Sequence, residues 1–257
     1  MSATGAAARS ARETLATDVA ELCRHLHARG WVANHDGNVS ARLSGAAGGD
    51  RFLASPTAVS KGDVVADMLV EVVAEGDGFK VVAGERRVFS EFALHLQAYR
   101  ARRDVTWVCH AHPPYATAWA VAGRTFWESP FMAEPVVSLG DEIPVVDPAD
   151  LADAFSRCDA VLLKNHGVIT LGTCRQTAQL RMELVEHVAK IAALAEPLGG
   201  VRPLASDEVE RLLAARAKAG LGPAGRGMSG GATVSGGTSS MSKPDVSSLV
   251  AEALRRF

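Results

Sequence analysis

The sequence predicts an α/β fold in which helices cover a central, mainly antiparallel β-sheet. Strand-like and helix-like segments are mixed along the chain, and several strand-like segments are joined by short turns rich in Gly and Asp. Such turns are typical of β-hairpins, whereas a doubly wound parallel sheet needs a crossover at each step. In addition, 47% of the 257 residues are hydrophobic, which is enough for a substantial core.

The N-terminal half is expected to hold one helix and the hairpins. We expect a flexible stretch over residues 1–12 and an amphipathic helix over 13–29, whose apolar residues recur at helical spacing until Gly30 ends it. Alternating apolar residues between turn-forming residues predict short strands. These strands are expected at 39–43, 51–54, 67–73 and 79–82.

The C-terminal half alternates between helical and extended patterns. Helices are predicted at 90–102, 115–122, 148–156 and 173–197, with a last helix that Ser206 would cap. Strands are predicted at 105–110, 143–146 and 160–163. In the long helix, the expected core residues are Leu180, Leu184, Val188, Ile191 and Leu194.

The composition changes sharply after Gly220. Residues 220–243 are dominated by Gly, Ser, Ala and Thr, which predicts a flexible linker. Residues 244–257 then carry apolar side chains along one helical face. We therefore expect one folded domain over 13–219, a linker, and a short amphipathic helix that needs a partner surface.

Charge and cysteine content argue against several classes of partner. The net charge is −2 and there is no basic tract, so neither nucleic-acid nor membrane binding is expected. The apolar runs are too short to cross a bilayer. The four cysteines are widely spaced, which favours reduced thiols and a cytoplasmic protein.

Three histidines and one glutamate stand where predicted strands or helices begin or end. Alternate strand residues share a face, so His110 and His112 are expected to project together. His166 follows the predicted strand 160–163, and Glu91 precedes a helix. Three neutral imidazoles hold a divalent ion with one position open for substrate. Such an ion can act as a Lewis acid on a carbonyl, while a nearby carboxylate moves a proton at the adjacent carbon.

The same motifs, taken in order, resemble those of the class II aldolase/adducin family over about residues 13–217. They are Gly37-Asn38-Val39-Ser40, Ser55-Pro56-Thr57, Ser90-Glu91 with His95, His110-Ala111-His112 and Asn165-His166-Gly167. The resemblance implies a single three-layer α/β/α domain that forms a homotetramer. It also implies that His110, His112 and His166 bind Zn²⁺ or another divalent metal. Glu91 would then be the catalytic acid/base, or a fourth ligand in the resting enzyme.

The resemblance further implies a lyase of carbohydrate metabolism. A metal-dependent aldolase would cleave a ketose phosphate or related hydroxyketone, through a metal-stabilised enediolate, to dihydroxyacetone phosphate and an aldehyde. Its expected substrate contacts are Gly37, Asn38, Thr57 and Ser90. The related epimerases typically carry aspartate at the position of Glu91, so Glu91 favours the aldolase branch.

Three positions depart from the phosphosugar pattern and keep alternatives open. Ala58 stands where glycine is usual, Phe89 replaces a serine, and Phe131 lies where the resemblance places a tyrosine. These changes suit a decarboxylase or another enolate-forming lyase of the same fold, with Phe89, Trp127 and Phe131 beside the substrate. The third alternative is a non-catalytic, adducin-like scaffold, although adducins lose the histidines that this chain keeps.

The end of the chain adds a prediction about location. A Gly/Ser linker followed by a short amphipathic helix resembles the encapsulation peptides of bacterial microcompartment cargo enzymes. The helix at 244–257 would then bind a shell protein. The simpler alternative is a helix that docks on its own oligomer.

Overall fold

Eight strands form one mixed sheet in the computed structural model, which describes residues 3–43 and 50–223. The strands are β1 (Asn38–Leu43), β2 (Arg51–Ala54), β3 (Val70–Glu75), β4 (Gly78–Ala83), β5 (Trp107–Ala111), β6 (Val145–Val146), β7 (Ala160–Leu163) and β8 (Val168–Gly172). Their order across the sheet is β4-β3-β2-β1-β5-β8-β7-β6. Only the β6–β7 pair among them is parallel, so the expected mainly antiparallel sheet is confirmed.

Helices cover both faces of the sheet. They are α1 (Ala3–Ala28), α2 (Phe92–Ala101), α3 (Pro114–Val121), α4 (Ala133–Leu139), α5 (Leu151–Arg157), α6 (Arg175–Ala195) and α7 (Ser206–Lys218). One apolar cluster joins the sheet to α1, α3, α4, α6 and α7, and a second joins it to α2 and α5. The α/β/α layering expected from the resemblance is therefore present.

Strand alternation separates these two clusters. On β5, Cys109 belongs to the first cluster, whereas the adjacent Val108 belongs to the second. Both side chains are fully buried. Burying an apolar side chain of this kind stabilises the fold by about 1.5–3 kcal/mol. Cys109 therefore points to the opposite face from its neighbour His110, as the alternation predicts.

Three helices differ from the sequence predictions, and one of them, α4, was not predicted at all. Helix α1 begins at Ala3, within the stretch expected to be flexible, because alanine is the strongest helix former and continues the helix without an apolar stripe. In α6, Leu180 and Leu194 were expected in the core, but they are 51% and 55% exposed. The sheet instead contacts a face of smaller or more flexible residues, including Ala178, Met182, Val185, Ala189 and Ala192.

A buried cluster of ion pairs connects α2, α6 and α7 to the residue before β7. Asp159 is fully buried and accepts hydrogen bonds from Arg102, just after α2, and from Arg216 on α7, while Arg181 on α6 pairs with it at 2.6 Å. Burial alone would raise the pKa of Asp159, but the three guanidinium groups hold it below its usual range. This cluster fixes β7, whose far end leads to His166.

Ser206 is the first residue of α7 but does not cap it: the N-cap is Ala205, without a side-chain hydrogen bond. The predicted linker at 220–243 lies outside the described residues from 224 onward, as does the whole predicted helix at 244–257. Among the residues described, no helix has both the length and the hydrophobicity needed to span a bilayer.

Candidate metal centre

The predicted site residues come from four places in the fold and meet at one end of the central strands. His110 lies on β5 between β1 and β8, with Asn38 and Ile169 as its register partners. His112 follows β5 directly, and His166 lies in the turn between β7 and β8. Glu91 is the N-cap residue of α2. The antiparallel pairing of β5 with its two neighbours thus places these side chains together.

The three imidazole rings form a compact triangle. Their ring centroids are 4.9, 4.8 and 4.9 Å apart, and one nitrogen from each ring lies within 4.8 Å of the other two. His110 Nε2 and His112 Nε2 are 3.1 Å apart. Two ligands of a tetrahedral zinc ion lie about 3.3 Å from each other. The spacing therefore matches a shared cation.

Hydrogen bonds at the far side of two rings determine which nitrogen faces the centre. His110 Nδ1 lies 2.9 Å from the carbonyl oxygen of Val168, and His112 Nδ1 lies 2.9 Å from Asp36 Oδ2. A carbonyl or carboxylate oxygen only accepts, so each Nδ1 carries a proton. In the neutral ring each Nε2 then presents a lone pair, and two lone pairs at 3.1 Å repel each other unless a cation lies between them.

Burial keeps His110 in the neutral form that a metal ligand requires. The side chain is 1% exposed, and burial lowers its pKa well below the ordinary histidine value. The neighbouring His112 and His166 lower it further, because a second positive charge beside them is unfavourable. The donor set of three imidazoles therefore fits zinc or a similar transition metal better than magnesium or calcium, which prefer oxygen ligands.

Glu91 lies against this triangle. Its Oε1 is 3.2 Å from His166 Nε2, and its Oε2 is 3.6 Å from His110 Nε2. Asn38 Nδ2 donates a 2.8 Å hydrogen bond to Oε2 and so holds the carboxylate in place. Within the described part of the chain, Asn38 Oδ1 is buried and has no hydrogen-bond partner.

The other predicted substrate contacts lie on loops connected to these residues. Gly37 has φ +65°, and a Cβ there would lie 2.4 Å from Val32 Cγ1 and 3.1 Å from the His110 carbonyl oxygen, so this turn favours glycine. The Thr57 amide donates to the Arg87 carbonyl at 2.9 Å, which brings its loop beside the segment that leads to Ser90. Ser90 is exposed next to Glu91.

His95, one helical turn after Glu91, is a core residue. It is fully buried, and its Nδ1 is 2.7 Å from Ser40 Oγ, which in turn is 2.8 Å from the Tyr99 hydroxyl. Burial lowers the pKa of His95 to about 3, so it is neutral at physiological pH.

The aromatic residues considered for a decarboxylase pocket do not form one wall. Phe89 packs in the second apolar cluster, against Phe92 and His95. Trp127 and Phe131 contact each other in the first cluster, on the opposite face of the sheet. Phe89 and the Trp127–Phe131 pair thus belong to different apolar clusters of the core.

Two residues near the site were not singled out from the sequence. Asp36 bonds His112, and Lys61, which is 2% exposed, donates to the carbonyl of His35 at 3.0 Å. Burial lowers the pKa of Lys61, while Asp36 and Glu91 among its neighbours favour its charged form. The only sequence signal for Asp36 was its place directly before Gly37-Asn38. A lysine in an otherwise polar loop gives no signal of burial.

The comparison with known proteins agrees with this geometry. The family model for the Class II Aldolase and Adducin N-terminal domain matches residues 17–193, more than half of the chain. The chain belongs to this family. The class II aldolases are lyases, so the predicted family and enzyme class are confirmed, as is the fold.

Individual relatives within the family differ in their described activities. The chain is 30% identical over 182 residues to the L-fuculose phosphate aldolase of Methanococcus maripaludis, which covers 68% of this chain and 94% of that protein. It is 31% identical over 172 residues to a 4-hydroxy-3-prenylphenylpyruvate oxygenase/4-hydroxy-3-prenylbenzoate synthase of Streptomyces roseochromogenus, covering 63% of this chain and 61% of that protein.

A solved structure shows the same fold. The L-fuculose 1-phosphate aldolase of Glaciozyma antarctica superimposes with a TM-score of 0.72 at 22% identity, over 85% of this chain and 86% of that one.

Proposed function

We propose that this class II aldolase family member is a metal-dependent aldolase that cleaves a ketose phosphate or a related hydroxyketone. The observation that carries the proposal is the triangle of His110, His112 and His166 with Glu91 at its edge. Dihydroxyacetone phosphate and an aldehyde are the proposed products. The similarity to a fuculose phosphate aldolase over most of that protein's length supports a sugar phosphate as the substrate class.

The three histidines would hold zinc or another divalent metal. When bound, such an ion acts as a Lewis acid that stabilises negative charge developing on substrate oxygens. One nitrogen from each ring lies within 4.8 Å of the other two, and the hydrogen bonds at His110 and His112 engage their Nδ1 atoms, so that Nε2 is left for the ion. The chain itself therefore supplies imidazole ligands in fixed orientations.

Glu91 is the proposed acid/base. In cleavage, the hydroxyl on the carbon two places from the carbonyl loses its proton to a base, and the carbon–carbon bond next to it breaks. The electron pair remains on the carbon beside the carbonyl, and Glu91 delivers a proton there. Asn38 keeps the carboxylate at this position with its 2.8 Å hydrogen bond. A positioned general acid or base typically accelerates such a step by about 10²–10⁴-fold.

Substrate contacts are proposed for Gly37, Asn38, Thr57 and Ser90. The buried Asn38 Oδ1 offers an acceptor for a substrate hydroxyl, and the exposed Ser90 hydroxyl lies next to Glu91. Ala58, which stands where glycine is usual, adopts φ +57°. The loop thus keeps a left-handed conformation that glycine would favour, and its backbone geometry remains compatible with an anion at this turn.

The base that takes the hydroxyl proton in cleavage is not Tyr99, the tyrosine of the apolar core. Tyr99 is 1% exposed and its hydroxyl is bonded to Ser40, and the Tyr115 ring lies under Lys190 on α6. This departure from the aldolase pattern is the observation that keeps a decarboxylase or other enolate-forming lyase as the second candidate. The relative described as an oxygenase/benzoate synthase supports chemistry of that kind within the family.

A homotetramer is proposed as the working form. Leu180, Leu194 and Leu198 are 51%, 55% and 86% exposed on the outer side of α6 and the short turn after it. Covering these side chains by another copy of the chain would remove apolar surface from water. The cytoplasmic location, and the binding of a microcompartment shell by residues 244–257, remain predictions from the sequence.

A substrate panel tests the function directly. Zinc-loaded protein should release an aldehyde from at least one ketose 1-phosphate, and the unphosphorylated ketoses should react more slowly. Glu91→Gln keeps an acceptor for Asn38 but cannot exchange a proton, so its turnover should fall by about 10²–10⁴-fold. Glu75→Gln, at an exposed surface position, is the matched control.

The same panel can refute the assignment. Carbon dioxide release from hydroxy-aromatic or keto acids, with no aldehyde from any ketose phosphate, would replace the aldolase with the second candidate. A purified protein that takes up no stoichiometric metal would instead support the adducin-like scaffold.

A further inference from the structure

The segment just before β1 forms two hydrogen bonds with His112. The His112 amide donates to the Trp31 carbonyl at 2.8 Å, and the His112 ring donates from Nδ1 to Asp36 Oδ2 at 2.9 Å. Backbone and ring of this one residue are thus held by the same short loop, 31–36. With the backbone held, the ring can still rotate about its side-chain bonds. The hydrogen bond to the Asp36 carboxylate prevents that rotation.

Asp36 is itself held from two sides. Its Oδ1 accepts a hydrogen bond from the amide of Ala33, and its own amide donates to the Ala33 carbonyl at 3.0 Å. Each carboxylate oxygen therefore has its own donor, one from the loop and one from the imidazole. The side chain is 33% exposed, so the pair with His112 lies at the edge of the site and not in the core.

Lys61 also forms a hydrogen bond with the loop 31–36. Its ammonium is almost fully buried and donates to the His35 carbonyl at 3.0 Å and to the Val59 carbonyl at 3.3 Å. A buried ammonium is costly unless its protons are bonded. The two carbonyls provide those bonds, and they join the loop that holds Asp36 to the loop that follows Thr57.

We propose that Asp36 is a positioning residue for the metal ligand His112, with Lys61 holding the loop that presents it. A metal-bound imidazole can donate a hydrogen bond from its other nitrogen to a carboxylate. That bond fixes the orientation of the ring and makes the metal-bound nitrogen more basic, and therefore a stronger ligand. Removing such a partner typically weakens metal binding by about 10–100-fold. The inference rests on the metal site of the proposed function but not on its substrate.

Asp36→Asn is the sharpest test because it preserves the size of the side chain. An amide has only one oxygen, so it can accept from Ala33 or from His112, but its NH₂ group must then face the other N–H donor. One of the two bonds is lost in either orientation. Asp67→Asn, which removes the same charge from an exposed position, is the matched control.

The readouts are the zinc affinity, measured by competition with a chromogenic chelator, and the visible absorption spectrum of the cobalt-substituted protein. Asp36→Asn should bind zinc about 10–100-fold more weakly and shift the cobalt bands, because one ligand is reoriented. The unfolding midpoint of the metal-free variant should stay close to that of Asp67→Asn. A purely structural role would instead lower that midpoint and leave the spectrum unchanged.

Two results would overturn the inference in distinguishable ways. Equal zinc affinity and identical cobalt spectra in Asp36→Asn and Asp67→Asn would refute the role of Asp36 while leaving the metal site intact. Absence of zinc and cobalt binding in the wild-type protein would refute the metal site itself, and the proposed function with it.

Discussion

Gly167 offers the most specific perturbation of the site, because its missing side chain leaves room for two of the histidines. A Cβ placed on Gly167 would lie 2.4 Å from His112 Cδ2, 2.6 Å from the Ala111 carbonyl oxygen and 3.2 Å from His110 Cε1. The backbone of Gly167 is not left-handed, so alanine at this position brings no backbone strain of its own. The effect of Gly167→Ala therefore reports the crowding of the two rings and of the Ala111 carbonyl at the end of β5.

The size of the effect follows from ordinary contact distances. Carbon atoms approach to about 3.5–4.0 Å without repulsion, so the His112 ring must retreat by about 1 Å or more. The ring cannot swing away freely, since Asp36 holds its Nδ1 at 2.9 Å. A displacement of about 1 Å at a reacting group can cost about 10²-fold in rate. The overpacking itself should lower the free energy of unfolding by about 1–3 kcal/mol.

The assay measures zinc affinity by chelator competition and turnover of the substrate found with the wild-type protein. Gly78→Ala is the matched control, because its Cβ would meet only the Glu75 carbonyl oxygen, at 3.8 Å. We expect Gly167→Ala to lose most of its metal affinity and turnover while still folding. If both glycine variants bound zinc with the affinity of the wild type, the close packing of the histidine rings against Gly167 would be refuted.

Three other predictions concern stability. Because burial lowers the pKa of His95 to about 3, the folded protein leaves it neutral while the unfolded chain protonates it below its ordinary value of 6.5. Stability from this residue is therefore complete well above that value and is lost as the pH falls through it. The difference in unfolding free energy between wild type and His95→Gln should shrink by about 2 kcal/mol between pH 7.5 and pH 5 in urea titrations, and an unchanged difference would contradict this. Asp159→Asn removes the carboxylate that three buried guanidinium groups share, although Arg102 keeps Asp104, and should lower the unfolding free energy by about 3–5 kcal/mol. The exposed Asp153→Asn serves as its control, and equal losses in the two variants would show that the cluster is not stabilising. Zinc at about 100 times its dissociation constant should raise the unfolding free energy by about 2.7 kcal/mol, and a chelator should reverse this increase. An unfolding midpoint that does not change with zinc would argue against zinc binding to the folded state.

Short-range alternation predicted that His110 and His112 would share a side, whereas β8, whose pairing with β5 brings His166 close, was not predicted. Alternation along β5 places His110 and His112 on one side, and the antiparallel pairing with β8 brings the turn that carries His166 beside them. The hairpins likewise follow from local turn residues. These features depend on residues close in sequence, or on motifs whose order the family shares.

Features that depend on tertiary packing were predicted less well. Helix α6 has two apolar sides, and its leucine-rich side was taken for the core because leucine buries more area than alanine. The sheet instead contacts the side with Ala178 and Ala189, whose small side chains allow the helix to approach. Asp36 and Lys61 were not predicted because their roles depend on the path of the loop 31–36. The residue types in a loop give no periodic signal from which its path could be predicted.

Anomalous diffraction at the zinc edge, from crystals of the zinc-loaded protein, tests the central claim most directly. The account predicts one anomalous peak that marks a zinc ion about 2.0–2.1 Å from a ring nitrogen of each of the three histidines, Nε2 in His110 and His112. The Glu91 carboxylate should lie next to this ion. A peak elsewhere on the protein, or no peak among the three rings, would contradict it.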